Sequence, residues 1–167
     1  LTDLIDKHAP NLKKLLAENE IYQKQSVTDS GILYGFPSLN VGKYRTFGGL
    51  IIRKDWLDDL SLEMPETLDE WENVLRQFKE KKGAKAPLTF MSNNIDTSFH
   101  FNNIYNVGLS MYVDNKTIKF PQMEPGYRDY LERMHKWYEE GLLDAEYDTN
   151  NQTVVDAKMT NGTSGVT

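Results

Sequence analysis

Residues 47–82 constrain the fold more than any other stretch of the chain. Phe47-Gly48-Gly49-Leu50-Ile51-Ile52 is short, apolar and bounded by glycines that let another backbone approach closely, the pattern of a buried strand. Arg53 to Leu60 follows with apolar residues at 56, 57 and 60, the spacing of one face of a two-turn helix. Thr67 and Glu70 then stand in the S/T-x-x-E relation, in which hydroxyl and carboxylate each satisfy an orphan backbone donor, so a helix starts there. Leu68, Trp71, Val74, Leu75 and Phe78 form its apolar stripe, Glu72 lies four residues before Arg76, and Gly83 supplies the left-handed stop. Strand, short helix and capped long helix in that order require a sheet with helices packed on it, and the fold class is α/β.

The flanking segments extend this reading. Leu1 to Asn19 has a helical pattern that Pro10 divides into two helices. Val27 to Pro37 reads as strand, turn and strand around Asp29-Ser30-Gly31, and Ser38 to Tyr44 as a linker. Ala84 to Phe90 is a loop into a short strand that begins, or lies at an edge, at Pro87. A helix is predicted over Phe99 to Ser110, with Phe101, Ile104, Tyr105 and Leu109 at helical intervals, and a hairpin over Met111 to Phe120 around an Asp114-Asn115 turn. Tyr127, Tyr130, Leu131, Met134, Trp137 and Tyr138 share one side of a helix that Gly141 ends, with Glu132 facing Lys136. Val154, Val155 and Met159 mark a last short helix. The strands near 32–36, 46–52 and 164–167 are expected to share one mixed sheet, with helices 67–82 and 127–140 packed on it.

Composition removes several function classes. The 167 residues carry 19 basic and 25 acidic side chains, net charge −6, without a basic cluster interleaved with aromatics, so nothing neutralises a nucleic-acid backbone. No apolar run approaches the ~20 residues that span a bilayer. There are no cysteines, which excludes disulfides and thiol catalysis within these residues. G-x-S-x-G, P-loop and H-E-x-x-H motifs are absent, and no catalytic residue is assigned. Asp58-Asp59 and Glu139-Glu140 are neighbours whose side chains diverge on a helix, which suits solvated faces better than an acid/base pair. Asp148 to Gln152 resembles the start of a calcium loop, but Thr153 stands at the glycine position and Met159 at that of the bidentate glutamate, so neither a metal nor a cofactor is expected. The N-x-S/T triplets at Asn115, Asn151 and Asn161 are read as chance products of an Asn- and Thr-rich chain.

Three blocks in matching order, LIIRKDWLDDLSLEMPETLDEWENVLRQFKEK, YLERMHKWYEEGLLDAEY and AKMTNGTSGVT, resemble the bacterial extracellular solute-binding proteins of family 1, the carbohydrate receptors of ABC importers. The resemblance implies an internal portion of a two-lobed, type II periplasmic-binding-protein fold. Residues 1–43 would be the tail of the first lobe with a strand approaching the hinge, and 44–167 an incomplete second lobe. It further implies non-catalytic capture of a saccharide, delivery to ABC permease subunits, an extracytoplasmic location through an N-terminal lipid anchor outside this portion, and a monomer. A carbohydrate-active enzyme and a protein-interaction module without a small ligand are the rival readings.

A sugar site needs flat aromatic faces and planar polar side chains. Phe99, His100, Asn102, Asn103 and Tyr105 offer both, where a polar loop meets a helix start, and in similar proteins this segment faces the cleft. Tyr44, Arg45 and Thr46 precede the central strand at the edge that, by the same resemblance, looks into the cleft. Core packing competes for Phe101 and Tyr105 as an (i, i+4) pair and is favoured for Tyr34 and Phe36. Trp56, Trp71 and Trp137 fall on the apolar stripes of their helices and are assigned to the core, and His135 to the surface.

Overall fold

The computed structural model describes residues 1–39, 49–92, 101–108 and 110–167. The chain divides into two compact units, Leu1–Phe47 and Gly48–Thr167.

Among the described residues, the first unit holds three short helices, α1 (Thr2–His8), α2 (Pro10–Glu18) and α3 (Glu20–Ser26). Pro10 is the first residue of α2, where its missing N–H is no loss and its fixed φ suits the helix. Asn19 caps α3 by accepting from the Tyr22 amide at 3.2 Å. Ile5, Leu12, Leu16 and Leu33 form a small buried cluster, with Ala9, Tyr22, Val27 and Leu39 packed partly buried against it. The strand expected at 32–36 is not found. Among the described residues there is no partner strand for it: the Ile32 carbonyl accepts from Thr28 N at 3.0 Å and the Leu33 amide donates to the Thr2 hydroxyl at 3.0 Å.

The second unit is built on the expected α/β plan. Its helices are α4 (Lys54–Leu60), α5 (Leu68–Lys82), α6 (Pro125–Glu139) and α7 (Gln152–Thr160). The Thr67–Glu70 capping box opens α5, and Gly83 closes it at φ 69°. Gly141, at φ 61°, lets its own amide reach the Tyr138 carbonyl at 2.9 Å and that of Leu142 reach the Trp137 carbonyl at 2.8 Å. This is a Schellman stop, with Leu142 buried beneath it. The charge pattern on α6 differs from expectation: Lys136 is drawn to Glu72 of α5, and Glu132 pairs instead with Arg128 one turn earlier.

Between these helices lies a minimal mixed sheet. Ile52 pairs antiparallel with Val166, Val166 parallel with Leu88, and Leu88 parallel with Leu143. Each segment contributes about one residue pair, so the sheet consists of bridges rather than long ladders. Pro87 begins the strand at 87–89, where only its carbonyl is used, accepting from Gly165 and Val166; the strand is central rather than at an edge. Of the strand expected at 46–52, the described part pairs through Ile51 and Ile52, and residues 40–48 lie outside the described residues.

A separate hairpin joins β1 (Tyr112–Asp114) to β2 (Thr117–Lys119). Its turn is Asn115-Lys116, one residue later than expected, and both take positive φ (47° and 67°), as a two-residue turn matching strand twist requires. The helix expected over 99–110 is, in its described part, only a 3-10 turn from Asn102 to Tyr105 that stops at Asn106 in the left-handed conformation, φ 56°.

One core unites the second unit: Trp56 and Leu57 of α4, Val74, Leu75 and Phe78 of α5, Met134 and Trp137 of α6, and Leu88 and Val166 of the sheet. Gly165 shows how tightly the sheet meets the helices. A Cβ there would overlap the fully buried Phe78 ring and lie 2.9 Å from Trp56 Cε3, which itself sits edge-on to Phe78 at 5.1 Å. Gly165→Ala is therefore expected to destabilise the chain by about 1–3 kcal/mol through overpacking, read as a lower urea midpoint with unchanged slope.

Candidate functional site

The described part of the predicted binding segment, Phe101 to Tyr105, belongs to a tight turn that runs on to Gly108 and is held from several directions. Phe101 is the anchor. Its buried ring stands edge-on to Trp71 of α5 at 5.7 Å and to Trp137 of α6 at 5.0 Å, and such perpendicular pairs place ring edges on ring faces. Asn102 is fully buried, and its Nδ2 donates to the Val107 carbonyl at 2.8 Å, closing the turn across five residues. Its Oδ1 has no hydrogen-bond partner among the described residues. The Tyr105 ring packs against Tyr130 at 6.2 Å. The Tyr105 carbonyl lies against Gly126 in the first turn of α6, where no larger residue fits: a Cβ would collide with that oxygen and come within 3.3 Å of Val107. On the other side the Tyr112 ring of the hairpin covers Gly108, 3.0 Å from where a Cβ would be.

The α5–α6 floor beneath this turn is fixed by one acid. Glu72, 5% exposed, accepts from Arg133 at 2.7 Å, Lys136 at 2.7 Å and Trp137 Nε1 at 2.9 Å across the helix interface, and from Arg76 on its own helix. Burial alone would push its pKa up. The donors from Lys136, Trp137, Arg133 and Arg76 outweigh burial and lower it to about 2. Arg76 also forks onto Glu140, and Arg133 reaches Asp69 at 3.2 Å. The surface above this cluster is an open depression of about 630 Å³, bordered by Tyr105, Asp69, Asp129, Glu132, Arg133 and Lys136.

A second buried carboxylate ties the far end of the sheet. Asp144 accepts from Thr89 at 2.6 Å, Asn150 at 2.7 Å and Lys158 of α7 at 2.7 Å. Burial opposes its ionisation, but Lys158, Thr89 and Asn150 prevail and hold the carboxyl below its usual range.

The sequence-predicted site residues are distributed as follows. Asn102, Asn103 and Tyr105 share the turn. Asn103 is exposed, Tyr105 is half-buried with its ring against Tyr130, and the Asn102 side chain is spent inside the turn. Tyr44, Arg45, Thr46, Phe99 and His100 lie outside the described residues. Tyr34 and Phe36, expected in a core, are 73% and 69% exposed. Trp56 and Trp137 are core residues as expected, and Trp71 packs against that core partly buried. His135 is on the surface, paired with Glu139. The adjacent acids diverge as expected: Asp58 goes to Lys54 and Asp59 to Lys82, Glu139 to His135 and Glu140 to Arg76. Among the described residues no group of three or more acidic or histidine side chains is placed to hold a metal. Sequence reasoning missed Gly126 as a contact point, although Pro125-Gly126 at a helix start was a visible signal.

No family model matches the chain. It is 33% identical over 162 residues to the fructooligosaccharide ABC transporter substrate-binding protein FusA of Streptococcus pneumoniae, covering 86% of this chain and 30% of that protein. It is 29% identical to the polygalacturonan/rhamnogalacturonan-binding protein YtcQ of Bacillus subtilis (96% and 32% covered) and 29% to lipoprotein LipO of the same organism (90% and 31%). The chain thus spans about a third of the length of the curated relatives it matches. Among solved structures, an HMO-binding, ABC-transporter-associated solute-binding protein of Bifidobacterium longum infantis superposes with TM-score 0.72 at 26% identity over 100% of this chain and 38% of that one. The alginate-binding protein AlgQ2 gives 0.68 at 28% identity over 99% and 35%. The helices around a small mixed sheet are those of part of a solute-binding-protein fold.

Glu72 generates a pH prediction. Its usual pKa of 4.5 falls to about 2 on folding, so its stabilisation is complete above pH 4.5 and disappears as pH drops from there towards 2. Glu72→Gln is expected to lose on the order of 3 kcal/mol at pH 7 and to show a flatter stability profile between pH 5 and 2, measured by urea unfolding at a series of pH values.

Proposed function

From the homology of the chain to a segment of the ABC-transporter substrate-binding proteins, we propose that the polypeptide containing it captures an extracellular oligosaccharide without altering it and hands it to an ABC permease. The observation that carries this reading is the 33% identity across 162 residues to a receptor named for fructooligosaccharides. Relatives named for binding rather than turnover support a non-catalytic role, as does the pairing of each adjacent acid with a different base. Residues 1–43 belong to the first lobe and 44–167 to the second, and the saccharide is enclosed when the lobes close on it because the closed state binds it better. The protein works outside the cytoplasm as a monomer on a lipid anchor, in keeping with a relative named as a lipoprotein.

The binding chemistry is divided along the 99–105 segment. Phe99 and His100 offer ring faces, Asn103 pairs with adjacent hydroxyls, and Tyr105 lends a ring edge and a phenol. Phe101 and Asn102 fix the backbone of the turn that follows, so little main-chain entropy is lost there on binding. Tyr44, Arg45 and Thr46 complete the second-lobe side, with Arg45 able to span two neighbouring hydroxyls.

The test is a thermal-shift screen of the full-length protein against mono- and oligosaccharides, followed by calorimetry. A matching oligosaccharide is expected to add about 2.7 kcal/mol of stability at a hundredfold excess over Kd, and to be recovered unchanged. Consumption of the sugar would establish an enzyme instead, and no stabilisation across a broad panel would overturn saccharide binding. With the saccharide identified, His100→Ala and Asn103→Ala are expected to weaken its binding about tenfold each, or ~1.4 kcal/mol, as read by calorimetry.

A further inference from the structure

The turn that leaves α7 carries a chemical reactivity that the binding reading does not use. Asn161-Gly162 is the only Asn-Gly pair in the sequence. Asparagine is a thermolabile residue because the amide nitrogen that follows it can attack its side-chain carbonyl carbon, and a glycine leaves that nitrogen uncrowded. Asn106, Asn115 and Asn151 are followed instead by Val107, Lys116 and Gln152, whose side chains stand in the way.

Local structure prepares each group for that attack. Asn161 stands just past the last residue of α7 at φ −87° and ψ 0°, exposed to water, with its own amide donating to the Ala157 carbonyl at 2.9 Å. Its Oδ1 accepts from the Thr163 amide at 2.9 Å, which draws electrons away from Cγ, the atom to be attacked. The nucleophile is unspent: among the described residues nothing accepts from the Gly162 amide. Closing a five-membered ring turns ψ of Asn161 away from 0° and gives up the exposed Thr163 bond. The anchors on either side stay in place, α7 before the turn and the Ser164 amide on the Lys158 carbonyl at 2.9 Å after it. Gly162 itself is required by the fold, since it takes φ 77° to end α7, a conformation that side chains rarely adopt. The residue demanded by the helix stop is thus the one that removes the steric bar to ring closure.

We propose that Asn161 is a site of self-modification in the folded protein, converted through a succinimide to aspartate and isoaspartate. The Gly162 nitrogen gives its proton to solvent and bonds to Asn161 Cγ. The Cγ–Nδ2 bond breaks, and Nδ2 leaves as ammonia with a proton taken from solvent. Water then opens the ring: at Cγ it yields aspartate, and at the main-chain carbonyl carbon it yields isoaspartate, with the backbone rerouted through Cβ and Cγ. The isoaspartyl form places an extra backbone carbon ahead of the segment that fills the sheet. There Gly165 and Val166 donate to the Pro87 carbonyl at 3.1 and 2.9 Å, and the Gly165 carbonyl accepts from Arg53 N at 2.8 Å. Gly165 has no clearance against Phe78 and Trp56, so a displaced segment loses these bonds instead of sliding to new ones.

The experiment incubates the full-length polypeptide and a synthetic peptide of residues 157–167 side by side in one neutral buffer, and follows conversion of Asn161 by peptide mapping and mass spectrometry. The folded protein is expected to convert within about tenfold of the peptide's rate, because tenfold is ~1.4 kcal/mol, the size of one exposed hydrogen bond. Slower conversion would show that the fold blocks ring closure and would overturn the proposal. Asn161→Gln, whose longer side chain does not form the five-membered ring, is expected to abolish the conversion, and an unchanged rate in that variant would place the reaction elsewhere. Isoaspartyl molecules separated by chromatography are expected to exchange the Gly165 and Val166 amide hydrogens at least about tenfold faster than unmodified ones. Unchanged exchange there would overturn the link from the turn to the sheet. No saccharide enters any of these measurements, so their failure is separable from failure of the receptor assignment.

Discussion

The structure depends first on one carboxylate. Glu72 stands inside the α5–α6 interface, where an unpaired charge would be intolerable, and is made welcome by three donors from the opposite helix and one from its own. The arrangement sets more than stability. An indole donates only in its ring plane and a guanidinium only along its fork, so four donors converging on two oxygens leave α5 little freedom to slide or rotate against α6. The register so defined puts Trp71 and Trp137 at the separation that Phe101 fills.

The turn that carries the candidate binding residues is then assembled against fixed surfaces. Phe101 is gripped by two indoles, Asn102 ties the backbone to Val107, and Gly126 allows α6 to begin directly against the Tyr105 carbonyl. Asn106 ends the turn in a conformation open to few residues other than glycine and asparagine. Rigidity at the base and exposure at Asn103 and half of Tyr105 divide the segment into a part that supports and a part that can contact a solute. The buried Asp144 group plays the corresponding structural role for the sheet, joining the strand at 87–89, the 142–144 segment and α7 through Thr89, Asn150 and Lys158.

Those elements whose determinants are local were legible in the sequence. The Thr67–Glu70 box, the Gly83 and Gly141 stops, the hairpin and the stripes of α5 and α6 all rest on residues within a few positions of one another, and each is found where the pattern places it or within a residue or two. What failed was long-range. The helical spacing of Phe101, Ile104 and Tyr105 reflects a real anchor, but contact with α6 converts the segment into a turn that Asn106 ends. Lys136 has Glu132 at ideal helical distance and yet goes to Glu72, because a buried acid attracts a cation more strongly than an exposed one does. Asn102 shows the same limit in the site itself: its chemistry was recognisable, but only the fold reveals that it is consumed in closing the backbone.

Two of the three tryptophans of the chain thus touch one phenylalanine in the turn beneath the candidate binding residues. Trp137 is fully shielded from water and Trp71 partly so. Their emission reads the polarity and quenching around that single ring, and Trp56, the remaining indole, is held edge-on to Phe78. The molecule accordingly contains its own optical gauge of the packing beneath this turn, readable without any attached label.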